Sequence, residues 1–256
     1  MRFCPACTQP MQAICDFPYQ DFDGSLFSRS GAILHCAHCG LGTVASGLTD
    51  DIISDYYAED CLYSAMSGVG VGGGSPEDLA RYARYAQLLE PYISEIAAGS
   101  GFVDVGCSRG GMLVDLKSRF PGLPLMGIDV DTQSLAALEG TGIASRAGSA
   151  LSIPLPDRSQ QMLAYFHVFE HILDTDRVLA EATRVLKDDG LLMIEVPDAS
   201  SYSAPATRVG TMFWLGLKEH VYHFTAPALT LMLARHGLSV LEVVRSQVPM
   251  RGATAY

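Results

Sequence analysis

From residue 100 onward, short apolar stretches alternate with amphipathic segments, and glycine-containing turns separate them. We predict strands in the apolar stretches, which read "GFVDVG", "LPLMGIDV", "GIASRAG", "QQMLAYF", "LLMIEVPD" and "LSVLEVVRS". We predict helices in "GGMLVDLKSRF", "TQSLAALEG", "DTDRVLAEATRVLKDDG" and "TAPALTLMLARHG", and another from Pro76 to about Ala98 with Ser75 as its N-cap. This alternation is typical of a doubly wound α/β sheet with helices on both faces.

Four cysteines near the N-terminus form two C-x2-C pairs, which are Cys4, Cys7, Cys36 and Cys39. Two residues between thiolates let both sulfurs of one turn bind one tetrahedral ion, and a second pair completes the site. Strand-like stretches lie between the pairs ("MQAICDF" and "SRSGAILH"), so we predict a small structural zinc ribbon over residues 1–45 that ends near Gly42. Redox-active or unpaired thiols are the alternative, although a single pair would suit them better.

The stretch between the ribbon and the α/β domain has a different character. It contains a polar, helix-like segment ("DDIISDYYAED") and then the low-complexity stretch "SGVGVGGGSP". Glycines without large side chains make a mobile connection, so we predict a linker or lid over residues 46–75. An ordinary loop explains the same composition. The α/β domain is then predicted to cover residues 76–256.

Composition narrows the classes of partner. The net charge is −11, from 28 acidic and 17 basic residues, and this opposes a nucleic-acid partner because phosphate neutralisation needs clustered Lys and Arg. The apolar runs are too short to span a bilayer, and the N-terminus lacks a basic, apolar signal sequence. We therefore expect a cytoplasmic protein without membrane contact.

The first predicted strand of the sheet leads into the turn "FVDVGCSRGGML". Asp104 closes the strand, Gly106 allows a tight turn, and Gly110 lets the next helix start close to a ligand. The spacing D-x-G-x-x-x-G differs from the G-x-G-x-x-G of dinucleotide-binding proteins, and Ser108 stands where a central glycine often lies. Asp129 ends the second strand, where a carboxylate can accept both hydroxyls of a ribose.

Taken together, "DVGCSRGG", "GIDV", "SIPLPDRS", "FHVFEH", "VLKDDGLLMIEVPD" and "EHVYHF" resemble the class I S-adenosylmethionine-dependent methyltransferases from about residue 76 to the end. The resemblance implies the Rossmann-like sheet of that family. With cysteine pairs in front, the chain is most similar to the bacterial branch that includes deoxysugar C-methyltransferases and related small-molecule enzymes. Those sugar-modifying relatives carry a further C-terminal domain that this sequence lacks.

The resemblance also implies roles for particular residues around S-adenosylmethionine. Asp129 would hold the ribose, Val130 would pack against the adenine, and Ser149 and Ala150 would reach the adenine edge. Many relatives carry an acidic residue where Ser149 stands, so the sequence departs from the family's pattern at this position. His167 would lie near the methyl-bearing end. The methionine portion would lie along the turn after the first strand, formed by Asp104, Gly106, Cys107, Ser108 and Gly110.

Two histidine clusters allow other chemistry. The stretch "HVFEH", which begins at His167, matches the zinc-protease pattern H-x-x-E-H, but it directly follows a predicted strand instead of lying inside a helix. In "EHVYHF", His220 and His223 invite a metal interpretation as well. The sugar C-methyltransferases imply instead a general base at His220, with Glu219 orienting it or binding a substrate hydroxyl. A structural role in the loop before the next helix is the alternative.

The sequence therefore predicts methyl transfer to oxygen or carbon of a small molecule, a sugar or a natural-product intermediate. Catalytic residues are expected at His220, Glu219 and His167. Alternatives are a catalytically silent, methyltransferase-like binding module and a zinc-containing rRNA methyltransferase. The sequence ends at "RGATAY", where the last antiparallel strand of such a sheet would begin. Three alternatives stay open: that strand is very short, a second copy in a homo-oligomer or a partner chain fills its place near the C-terminus, or the natural chain is longer.

Overall fold

The computed structural model describes residues 2–18, 30–45, 48–60, 76–200 and 219–245. The chain divides into two compact units. The cysteine unit comprises Met1–Ile53, Phe169–Asp176 and Val196–Tyr256, and the parallel-sheet unit comprises Ser54–Val168 and Arg177–Glu195. The glycine-rich part of the predicted linker and the N-cap Ser75 lie outside the described residues, and the predicted boundaries near residues 45 and 75 stay predictions.

The parallel-sheet unit contains five strands. Their bounds are β4 Phe102–Val105, β5 Leu125–Asp129, β6 Ala144–Ala147, β7 Gln160–Phe166 and β8 Leu186–Glu195. They lie in the order β6-β5-β4-β7-β8, and every neighbouring pair is parallel. The chain moves outward from β4 to β6 on one side and then returns to continue through β7 and β8 on the other. This order with parallel neighbours is that of a doubly wound sheet, which confirms the predicted α/β fold.

The helices that follow the N-terminal segments match most of the predicted ones. Their bounds are α1 Asp50–Asp55, α2 Pro76–Leu89, α3 Ile93–Gly99, α4 Gly111–Arg119, α5 Thr132–Leu135 and α6 Thr175–Val185. A π-helical segment, Tyr56–Asp60, continues from α1. The helix predicted from Pro76 to Ala98 is interrupted by the 3₁₀ segment Glu90–Tyr92, because Pro91 has no N–H for the helical ladder. None of the described helices is long and apolar enough to cross a bilayer.

The core of the parallel-sheet unit lies between its helices and the middle of the sheet. All four residues of β4 are buried, as expected for a central parallel strand with covered faces. A single cluster joins that strand to α2, α3 and α4, and its fully buried members include Leu89, Ile96, Phe102, Leu113 and Leu116. This packing fixes β4 against the helices through Phe102, at the start of the strand.

Two predicted elements differ from the structure: one helix is shorter than predicted, and one predicted strand does not form over its described residues. The helix predicted through Gly190 ends at Val185, and β8 begins at Leu186, which pairs with Gln160 across a register irregularity. Pairing with β7 there outweighs the local helical pattern. The strand predicted in "LSVLEVVRS" does not form over residues 238–245, its described part. An alternating pattern forms a strand only where a neighbouring edge pairs with it, and none of the described strands does so.

The described part of the cysteine unit contains an antiparallel sheet and one complete α-helix, besides the first residues of α1 and α6. Its elements are β1 Gln12–Pro18, β2 Ser30–His35, β3 Gly42–Ala45, β9 Tyr222–His223 and the helix α7 Ala226–Arg235, and the strand order is β1-β2-β3-β9. The strand β3 begins at Gly42 and lies within residues 1–45, and the boundary of the predicted ribbon stays a prediction. Thr43 and Val44 are buried, and the Thr43 hydroxyl donates to the Val221 carbonyl at 2.9 Å. A local sequence pattern does not reveal a partner 178 residues away.

Candidate functional site

Asp104 lies at the carboxyl side of β4 and is almost completely buried, with 4% of its surface exposed. Its Oδ1 has no hydrogen-bond partner in the part of the chain that the structure describes. Burial, and then the nearby charge of Asp129, raises the pKa of this carboxyl to about 8. A buried carboxyl with an oxygen left over suits a polar or cationic ligand group.

The turn after β4 has a left-handed backbone at three of its residues, Gly106 (φ 82°), Ser108 (φ 49°) and Gly110 (φ 69°). A Cβ at Gly106 would come within 2.3 Å of Val168 Cγ2, and one at Gly110 within 2.3 Å of Leu138 Cδ2. Both glycines are therefore required by conformation and by space. The helix α4 starts at residue 111, immediately after this turn, so its N-terminus follows closely on the carboxyl end of β4.

Asp129 ends β5, and its carboxylate links the end of this strand to the turn after β4 by a hydrogen bond. Its Oδ2 accepts the backbone N–H of Ser108 at 2.6 Å, and its Oδ1 accepts that of Asp131 at 2.9 Å. Burial raises the pKa of Asp129 although these N–H groups oppose the shift. Each carboxylate oxygen carries a further lone pair, so both can still accept a hydroxyl. Val130, half-buried, follows directly.

The loop after β6 reaches the same edge of the sheet. The Gly148 N–H donates to the Asp129 carbonyl at 3.0 Å, which places Ser149 and Ala150 just beyond the end of β5. Ser149 Oγ accepts the Leu151 N–H at 3.2 Å, and Ala150 is buried. The predicted cofactor residues on β4, β5 and this loop therefore converge at the carboxyl ends of neighbouring strands.

His167 directly follows β7 and has a left-handed backbone (φ 55°). Its N–H donates to the Glu195 carbonyl at 3.0 Å, and its Nε2 lies 3.4 Å from Glu195 Oε2. Burial raises the pKa of Glu195 to about 7, although the charges of Arg81 and Arg84 oppose the shift. Sequence reasoning missed Glu195. A carboxylate at the end of the apolar run "LLMIE" was the signal, because Asp129 also ends its strand. Asp104, predicted to close β4, lies one residue before its end, since Val105 is the last residue of the strand.

These residues fit a nucleoside cofactor that carries a cationic amino acid. The Asp129 carboxylate provides acceptors at the end of the second strand, and the unpaired Oδ1 of Asp104 provides one at the end of the first. The left-handed turn at Gly106 and Gly110 leads directly into α4, so backbone without side chains lies at the start of that helix. Strand order reverses next to β4, which is where ligands bind in open α/β sheets.

The cysteines predicted to bind metal come together in the cysteine unit. Their sulfur atoms all lie within 4.8 Å of one another, with Cys4–Cys39 at 3.5 Å and Cys7–Cys36 at 3.4 Å. A tetrahedral ion with bonds of about 2.3 Å needs sulfurs roughly 3.8 Å apart, so the set fits zinc with small adjustments. Burial by itself would raise the pKa of Cys36, but hydrogen bonds from the Cys39 and His38 backbone and from Cys7 lower it to about 7.

The remaining predicted catalytic residues, Glu219 and His220, lie in the cysteine unit and are buried. The Glu219 carbonyl contacts His171 Nδ1 at 2.9 Å, and the rings of His171 and His220 meet edge to face with centroids 4.8 Å apart. Ligand atoms of Glu170, His171 and His220 lie within 4.8 Å of one another. The structure thus joins the end of "HVFEH" and the start of "EHVYHF", which sequence reasoning treated separately. Burial lowers the pKa of His223 to about 4.

Comparison with known proteins places this fold in a family. The model of the family described as "Methyltransferase domain" matches residues 78–243. A probable S-adenosylmethionine-dependent methyltransferase of Mycolicibacterium smegmatis is 26% identical over 166 residues, which are 63% of this chain and 60% of that protein. A probable S-adenosylmethionine-dependent methyltransferase of Mycobacterium tuberculosis is 41% identical over 124 residues, 47% of this chain and 44% of that protein. The chain thus spans about half the length of these curated relatives.

Among solved structures, a candidate sarcosine dimethylglycine methyltransferase from Galdieria sulphuraria superposes with a TM-score of 0.50 at 22% identity, over 64% of this chain and 63% of that one. At this identity the likeness concerns the fold alone. The family model, by contrast, covers more than half of the chain, including both strand-end carboxylates and the glycine turn. The chain therefore belongs to the methyltransferase domain family.

Proposed function

We propose that this protein is an S-adenosylmethionine-dependent methyltransferase that transfers the methyl group to oxygen or carbon of a small molecule, a sugar or a natural-product intermediate. One observation carries the proposal. At the point where strand order reverses, the Asp104 carboxyl, the left-handed turn at Gly106 and the Asp129 carboxylate meet at the ends of adjacent parallel strands. Related proteins named as S-adenosylmethionine-dependent methyltransferases match this region.

In this proposal, Asp129 accepts the ribose hydroxyls, and Val130, Ser149 and Ala150 surround the adenine. The turn residues after β4, together with Asp104, hold the methionine portion, where the unpaired Asp104 Oδ1 accepts the ammonium group. When bound, S-adenosylmethionine would supply an electrophilic methyl group on a sulfonium, with S-adenosylhomocysteine as the leaving group and the acceptor as the nucleophile. The chain's own contribution is to position that acceptor and to receive its proton.

We propose His220 as the residue that receives the proton, with Glu219 supporting it. Burial lowers the pKa of His223 to about 4, which makes that residue a poor proton acceptor by comparison. His167 and Glu195 form a second histidine–carboxylate pair at the ends of β7 and β8. We propose that this pair contacts the methyl-bearing end of the cofactor.

The cysteine cluster is proposed to hold one structural zinc ion, as in the small-molecule methyltransferases with an N-terminal ribbon. The net charge of −11 supports a small-molecule acceptor over rRNA. Similarity to deoxysugar C-methyltransferases, the domain boundaries at residues 45 and 75, a partner chain near the C-terminus and a cytoplasmic location stay predictions.

Calorimetric titration with S-adenosylhomocysteine tests the proposal without an acceptor. We expect binding at one site per chain in the micromolar range, on the order of −8 kcal/mol. Asp129→Ala should abolish the heat of binding, and Asp188→Asn, an exposed aspartate of the same unit, should leave it unchanged. Absence of binding to a folded protein would favour a catalytically silent binding module instead.

A further inference from the structure

We propose that Glu170, His171 and His220 form a second metal site, which binds one zinc ion independently of the four cysteines. Among the described residues, these three have one nitrogen or carboxylate oxygen each within 4.8 Å of the other two. Two imidazoles and one carboxylate are a ligand set that zinc takes where a fourth position is left open for water or substrate.

The orientation of His171 supports this site. Its Nδ1 lies 2.9 Å from the Glu219 carbonyl oxygen, which can only accept, so Nδ1 carries the proton and donates. The other ring nitrogen, Nε2, then presents its lone pair, and it lies 3.8 Å from Glu170 Oε1. A backbone carbonyl that holds the far ring nitrogen of a histidine is the usual outer contact of a metal ligand, because it sets both tautomer and ring direction.

Burial and charge favour a cation at this place. Glu170 is 0% exposed and His220 is 4% exposed. Buried carboxylates are paired with cations or coordinate metals, since an isolated one loses its hydration. In a tetrahedral site with zinc–ligand bonds of about 2.0 to 2.1 Å, the ligand atoms lie about 3.4 Å apart. Side-chain rotations that move each ligand atom by under about 1 Å would bring the three atoms to this spacing.

Zinc at this site has a consequence for catalysis that rests on the proposed function. A ring nitrogen of His220 that coordinates an ion cannot receive a proton. Occupancy of the second site therefore inhibits methyl transfer, although the cofactor residues of the parallel-sheet unit stay unchanged. Zinc would act as an inhibitor at this cluster and as a structural ion at the cysteines.

Metal analysis of the full chain after zinc loading and gel filtration tests the site without reference to activity. We expect two zinc ions per chain in the unmodified protein. His171→Asn should lose one, because asparagine can still donate to the Glu219 carbonyl but provides no atom at the Nε2 position. His236→Gln is the matched control, since this histidine of the same unit contacts Asp176 and lies outside the cluster. Equal zinc content in His171→Asn and the unmodified protein would overturn the site.

Cobalt titration of the unmodified protein tests the second metal site without a variant, so a folding defect in His171→Asn does not affect the result. The first equivalent should give the intense thiolate-to-cobalt bands of a cysteine site, and the second only weak ligand-field bands from nitrogen and oxygen ligands. Saturation after a single thiolate-type equivalent would also refute the proposal. Titration of the same samples with S-adenosylhomocysteine separates the second metal site from the proposed function. Absence of cofactor binding would contradict the proposed function, whereas the number of zinc ions per chain tests the metal site alone.

Discussion

Replacing Asp104 by asparagine should change how the stability of the protein depends on pH. The Asp104 carboxyl is 4% exposed, and burial raises its pKa to about 8. In the unfolded chain the pKa returns to about 3.9. The folded state thus holds the proton more tightly, so the stability contributed by this group is complete below pH 4 and falls as the pH rises towards 8.

The magnitude follows from these two pKa values. Between pH 5 and pH 8, ionisation of Asp104 should lower the free energy of unfolding by about 3 to 4 kcal/mol. The asparagine side chain does not ionise, so the stability of the Asp104→Asn protein relative to the unmodified one should increase by this amount over that range. Other groups with raised pKa values, such as Glu195, are present in both proteins and cancel in the difference.

Urea denaturation followed by circular dichroism at pH 5, 6, 7 and 8 measures this difference directly. Asp188→Asn is the control, because that side chain is 81% exposed and its pair with Arg158 lies on the surface. We expect its difference from the unmodified protein to stay within about 1 kcal/mol at every pH. If the curves for Asp104→Asn and the unmodified protein run parallel from pH 5 to pH 8, Asp104 is not a buried, protonated group.

The remaining predictions concern binding, metal content and transfer. Gly106→Ala should weaken S-adenosylhomocysteine binding and lower the free energy of unfolding by about 1 to 2 kcal/mol or more, because alanine is strained at φ 82° and its Cβ would meet Val168 at 2.3 Å. Calorimetry measures the binding and thermal melting the stability. An unchanged Kd would contradict this prediction. Cys4→Ser should remove one zinc ion per chain by metal analysis, whereas a content equal to that of the unmodified protein would exclude the cysteine site. His220→Gln should spare S-adenosylhomocysteine binding and lower kcat with any accepted substrate by about 10²-fold or more, and full turnover would remove it as the base.

The residues at the strand ends show most clearly which parts of the candidate site could be predicted from the sequence. Asp104 and Asp129 were predictable as site residues because each ends an apolar stretch that must be a buried parallel strand, and the ends of such strands share one edge. Gly106 and Gly110 were predictable because a turn this tight needs a left-handed backbone. Glu195 ends its strand as Asp129 does, but no glycine turn follows it in the sequence to mark it as a site residue.

The sequence by itself determined the alternation of strands and helices, the glycine turn and the spacing of the cysteine pairs, because each of these depends on residues close together in the chain. Only the tertiary structure decided that β3 pairs with β9, that His167 meets Glu195, and that Glu170 and His171 meet His220. Contacts of this kind join segments from about 30 to nearly 180 residues apart, and their free energy depends on which surfaces remain to be buried once the local elements have formed. A local pattern carries the period of burial and the chemistry of a turn, but it does not carry the identity of the partner across the sheet.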